Sequence, residues 1–163
     1  MSKKKLIFAL TPGLVVGVIG ISAVVLPWQD WVYSRPEPVA VTFDHLDPAL
    51  GAIRVEGTAH FRALVKQHVP ATLWDDAKTV YCYGLFPLGD TENREIRLLV
   101  RTDQAPDGLV DFENMRIEGL ISKPDRYTVP FQMEQVLGDQ SGYYFSNDLS
   151  VLSAWSHETI GAE

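Results

Sequence analysis

The chain has 163 residues, of which 46% are hydrophobic and 21% charged, and it carries a net charge of −7. Those values exclude a disordered chain and leave room for one folded domain with a short appendage. The acidic balance also counts against nucleic acid as a partner, because a negative body is repelled by phosphate backbones.

The charge is unevenly laid out along the chain. Lys3, Lys4 and Lys5 stand at the start, residues 6 to 29 carry no charge, and from Asp30 onward 21 carboxylates stand against 11 Lys and Arg. In a helix rising ~1.5 Å per residue, the uncharged run reaches roughly 36 Å, enough to cross a hydrocarbon core of ~30 Å. A cleaved signal peptide has a shorter apolar region, about 7–15 residues, with a small-residue exit that this stretch lacks. The expectation is a tip at 1–5, a transmembrane helix at 6–28 and a juxtamembrane linker at 29–38. The three lysines favour a cytoplasmic N-terminus, which puts the body in the periplasm or another extracytoplasmic space. Trp28, Trp31 and Tyr33 cluster where the helix leaves the bilayer and suit the headgroup interface. Pro27 closes the helix, and Arg35-Pro36-Glu37-Pro38 forms a stiff spacer. Inside the helix, Ala9, Gly13 and Gly17 recur every four residues. Such a stripe lets a second helix approach closely, either from a membrane partner or from another copy of this chain.

Residues 39–155 read as the exported β domain, followed by a flexible tail at 156–163. Between Ile53 and Phe61 the residues Ile53, Val55, Gly57, Ala59 and Phe61 alternate with Arg54, Glu56, Thr58 and His60, the period of a half-buried strand. This places His60 on the outward face. Residues 61–69 read as a short helix or a continuation of that strand. Thr79 to Phe86 and Arg94 to Thr102 form two more strands around the polar turn Gly89-Asp-Thr-Glu-Asn93, as a hairpin. Met115 to Ile121 gives a fourth. Tyr127, Val129, Phe131 and Met133 give a fifth at an edge, because of Pro130, and a last strand begins near Tyr143. Gly57, Gly84 and Gly119 lie within strands, where glycine marks bends or close backbone approach. The fold expected is a transmembrane helix plus a mainly-β domain, a small OB-like barrel or a sandwich of five to six strands.

A short tip, one membrane helix and an exported β domain, together with Phe112-Glu-Asn-Met-Arg-Ile-Glu-Gly-Leu-Ile-Ser122, resemble the haem chaperone of cytochrome c maturation. The resemblance implies an OB-type architecture. That family attaches haem through a histidine followed four residues later by a tyrosine. His45, His60, His68 and His157 each lack that tyrosine, so haem binding is not carried over.

Signals for chemistry are sparse. The histidines are scattered, Cys82 is the lone cysteine, and no metal-ligand, nucleophile-elbow or phosphate-loop spacing occurs. Asp75-Asp76 reads as turn chemistry. No catalytic residue, metal site or cofactor is expected. On the strand Thr79–Phe86, Tyr81 and Tyr83 lie opposite Cys82 on the face taken as outer, with Tyr143 or Tyr144 as possible neighbours, and exposed aromatics favour partner contact. The function expected is a non-enzymatic single-pass accessory or assembly subunit that binds a membrane protein complex through helix and barrel face. The alternative is a membrane-tethered carrier or chaperone for haem, metal or lipid.

Overall fold

The structure, a computed structural model, describes residues 35–71, 76–106, 108–125, 129, 133, 137 and 142–161. Six strands follow in chain order: β1 (Val39–Val41), β2 (Ala52–Val69), β3 (Lys78–Phe86), β4 (Glu95–Thr102), β5 (Glu113–Ser122) and β6 (Tyr144–Thr159). Two single-turn 3-10 helices, Phe43–His45 and Pro48–Leu50, join β1 to β2.

The strands form one mixed sheet in the order β1-β2-β3-β4-β6-β5, with a further pairing between β2 and β5. The β1–β2 and β4–β6 pairs are parallel and the others antiparallel. This corrects the expected fold class. Instead of a small OB-like barrel or a two-sheet sandwich, the described residues make a single six-stranded mixed sheet. Alternation along a strand tells which face is buried but not which strand lies beside it. The parallel pairing of β4 with β6 is therefore invisible to it. No helix among the described residues is long and apolar enough to cross a membrane, and the segment 6–28 lies outside those residues.

β2 is the spine. Its first half, Ala52–Ala59, pairs with β5, and Thr58–Val69 pairs with β3. The stretch 61–69 continues the strand and does not turn into a helix, with Ala63 and Val65 buried. The β2–β3 register shifts between His60 and Val65, a bulge in β2. Expected and observed strands agree for the β3–β4 hairpin, where Leu85 stands opposite Leu98. Of the expected fifth strand, Tyr127 and Phe131 lie outside the described residues and Val129 stands in a bend. The expectation is corrected at Met133, which is helical, as is Leu137 four residues on, and both are fully buried. β6 runs to Thr159, opposite Met115, through much of the stretch assigned to a flexible tail.

Both faces of the middle strands are covered. One core cluster gathers Ile53, Val55, Tyr83, Leu85, Leu98 and Ile117. The other gathers Val65, Cys82, Phe86, Leu99 and Val151 beneath Met133 and Leu137. At Gly119 a side chain would meet the Ser153 carbonyl oxygen at 2.5 Å, the close backbone approach expected of a mid-strand glycine.

Candidate functional site

An open groove of about 520 Å³ lies beside β1, within the size range of ligand and peptide clefts. Ala40, Val41 and Thr42 form one wall, Pro87 and Leu88 the other, and Phe43 lines the space between them. β1 stands at the end of the sheet order, so its outer edge faces no described strand. An unpaired edge offers backbone N–H and C=O groups to another chain. Val39 at the start of β1 is 53% exposed, and Leu88, which lines the groove, is 56% exposed. Arg54 and Glu56 also line it, held by ion pairs to Glu118 at 2.6 Å and Arg116 at 2.8 Å.

Gly57 shapes the groove from beneath. A Cβ there would overlap the Phe86 carbonyl oxygen and stand 2.9 Å from Phe43 Cε2. Only a residue without a side chain lets the Phe43 ring settle against β2.

A buried polar network fixes the wall that carries Pro87 and Leu88. His60 is fully buried, which corrects its expected outward placement. Its Nε2 lies 2.7 Å from the Asp90 carbonyl oxygen, an atom that only accepts, so Nε2 carries the proton. Nδ1 then accepts from the Tyr143 hydroxyl at 2.9 Å. Phe86 stacks on the imidazole at 3.9 Å between centroids, and Phe112 meets it edge-on at 4.8 Å. Burial holds the His60 pKa below its usual value and Arg94 adds to this, against the raising influence of the Asp90 carbonyl and the Asp111 carboxylate. The ring is a neutral, two-way connector. Next to it the Thr58 hydroxyl accepts from the Gly89 N–H at 2.7 Å and donates to Asn114 at 2.8 Å. The turn from Pro87 to Asn93 is thus tied to β2, β5 and the start of β6.

Phe112 adopts a left-handed backbone, φ 66°, costly for a residue with a side chain. Its N–H bonds the Ala59 carbonyl at 2.9 Å, and Arg62 stands 5.7 Å over its ring while pairing with Asp111 at 2.8 Å. These contacts hold the strained residue against His60.

The sequence-derived site residues fare unequally. Tyr83 is fully buried in the core, so it forms no part of an outer face. Its hydroxyl has no hydrogen-bond partner among the described residues, and burial pushes its pKa well up. Tyr81 is half-buried, with Lys66 Nζ 5.8 Å from its ring centroid. Tyr143 is buried in the His60 network, and Tyr144 is exposed. Tyr81 pairs with Thr102 and Tyr144 with Glu95, opposite ends of β4, so no joint aromatic surface forms. Ala9, Gly13, Gly17, Trp28, Trp31 and Tyr33 lie outside the described residues. The groove itself was missed. Its best sequence signal was Val39-Ala-Val-Thr-Phe43, an apolar run too short to show a period.

Among the described residues no group of three His, Cys, Asp or Glu is placed to hold a metal ion. No family model matches the chain, and neither the curated proteins nor the solved structures contain a match.

Proposed function

We propose that this protein is a non-enzymatic, single-pass membrane accessory subunit whose folded domain takes an extended apolar segment of a partner protein along β1. The groove beside β1 carries this reading: an open sheet edge, an apolar wall at Leu88 and a polar network that holds that wall in place. An extended segment gains main-chain hydrogen bonds from a strand edge and specificity from the pocket beside it. Membrane attachment and orientation rest on the uncharged run and its lysine tip. The stripe Ala9, Gly13 and Gly17 supplies a second contact, helix to helix, within the same complex.

In the alternative reading, a membrane-tethered carrier or chaperone for haem, metal or lipid, His60 is not a ligand. Both of its ring nitrogens are engaged inside the fold, which leaves neither to ligate a metal.

The test is co-purification of the full chain from native membranes in mild detergent, comparing wild type with Leu88→Glu. Leu88 is exposed, so the variant folds normally. A partner retained by wild type and lost from Leu88→Glu supports the groove. An unchanged partner set in Leu88→Glu, together with loss in Gly13→Ile/Gly17→Ile, moves recognition to the helix. Unchanged partners in both variants refute the proposal.

A further inference from the structure

A second concavity, of about 500 Å³, differs from the first in its charge. Arg97 of β4 and Lys123, just after β5, both line it, with Leu46, Pro48, Pro124 and Leu149 as apolar wall. Arg54, Arg62 and Arg116 each hold a carboxylate. Arg97 and Lys123 form no ion pair or hydrogen bond with any described residue. In a body whose carboxylates greatly outnumber its cations, two cations without an ion pair among the described residues, against the single carboxylate of Asp148 on the same concave surface, mark a place where an anion is attracted.

The sheet is also interrupted there. Ile96 pairs with Phe145 and Leu98 with Ser150, so Arg97 alone stands opposite residues 146–149. β5 pairs with β6 only from Val151 onward in sequence, so those four residues have no register partner on that side either. Bulges of this kind gather beside binding sites, where they re-aim side chains and free peptide groups from the ladder. Asn147 and Ser150, from the bulge and its end, add neutral polar groups to the lining. Asp148, exposed, is the opposing charge at this site.

From these features we infer that the concavity between Arg97, Lys123 and the β6 bulge binds a phosphate group carried on a short apolar stem. The guanidinium fork suits two phosphate oxygens and the lysine ammonium a third. The stem lies on Leu46, Pro48, Pro124 and Leu149. An anionic lipid headgroup and a free alkyl or glyceryl phosphate share this chemistry. The inference does not rest on the β1 groove and stands or falls separately.

The test uses the full chain in dodecyl maltoside, titrated in separate calorimetric runs with hexyl phosphate, dihexanoyl phosphatidylglycerol and uncharged dihexanoylglycerol. At least one phosphate probe binds saturably, and dihexanoylglycerol does not. Arg97→Gln/Lys123→Gln weakens binding about tenfold or more, as loss of charge-assisted hydrogen bonds requires. Asp148→Asn tightens it by removing the competing carboxylate. Preference for phosphatidylglycerol identifies a lipid headgroup, and preference for hexyl phosphate a free phosphate ligand; both support the site. Absence of binding by either phosphate probe, or equal affinity in wild type and the double variant, overturns it. Both substituted positions are exposed, and an unchanged melting temperature separates lost binding from lost folding.

Discussion

Tyr143→Phe removes one hydroxyl from the interior and nothing else. The ring keeps its place 6.0 Å from the Phe86 centroid, and Arg94 remains 4.9 Å over its face. What is lost is the donor to His60 Nδ1, in a site with no exposure to water. A buried acceptor left without a partner costs about 1–3 kcal/mol, since its desolvation is no longer offset. For a domain of this size, each kcal/mol lowers the melting temperature by roughly 3–5 °C. The expected drop is therefore about 3–15 °C, followed by circular dichroism of the full chain in detergent. Tyr144→Phe, at the exposed neighbouring position, is the matched control and leaves the melting temperature unchanged. His60 also holds the Asp90 carbonyl, so if the β1 groove takes a partner as proposed, Tyr143→Phe weakens that binding as well. Melting of Tyr143→Phe together with Tyr144→Phe and wild type would show that the His60 network does not stabilise the fold.

Protonation of His60 is opposed in the folded state, so its contribution is full above the unfolded value of about 6.5 and falls as pH drops through the lowered folded value. Stability of wild type therefore declines below pH 6.5 more steeply than that of His60→Gln, measured by urea unfolding at each pH. Ile117→Asp places a charge in the core and unfolds the domain at a cost of about 3 kcal/mol or more, whereas Arg116→Gln, which loses only solvent-screened ion pairs to Glu56 and Glu158, leaves the unfolding midpoint close to that of wild type. Gly57→Ala drives a methyl into the Phe86 carbonyl and the Phe43 ring and costs about 1–3 kcal/mol, while Gly161→Ala, with open space around it, leaves the unfolding midpoint in place. Burial pushes the Cys82 thiol up to about 11, so iodoacetamide at pH 8 labels it only after denaturant is added, as read by intact mass.

Alternation of apolar and polar residues located most of β2, β3, β4 and β5, and it set Ile117 inward and Arg116 outward correctly. It failed wherever both faces of a strand are covered. Tyr81, Tyr83 and Leu85 alternate with Val80, Cys82 and Phe86, and the rule of one wet face forced Tyr83 outward. Tyr83 packs instead with Ile53, Leu85, Leu98 and Ile117 in one core cluster, and Met133 and Leu137 cover the Cys82 face, so neither side is wet. His60 was misplaced for the same reason, since its polarity suggested water while its two hydrogen-bond partners lie 30 and 83 residues away. No local pattern encodes contacts of that range. The β1 groove and the β6 bulge depend on register between distant strands, so neither was legible before the structure.

The place of β6 in the sheet has a consequence for the order in which the chain acquires its shape. β6 lies between β4 and β5, parallel to the first and antiparallel to the second. Until residues 144–159 arrive, β4 and β5 each present a bare edge, and the second core layer has no Val151 to close on. The hairpin of β3 and β4 forms early from local contacts, but the sheet completes only when the last strand is inserted. Such long-range closure is slow, because chain entropy is spent before the contacts that offset it form. A chain made from its N-terminus therefore cannot complete the sheet until residues up to 159 are available. Late completion makes any break upstream of Tyr144 a source of sticky, half-built sheets.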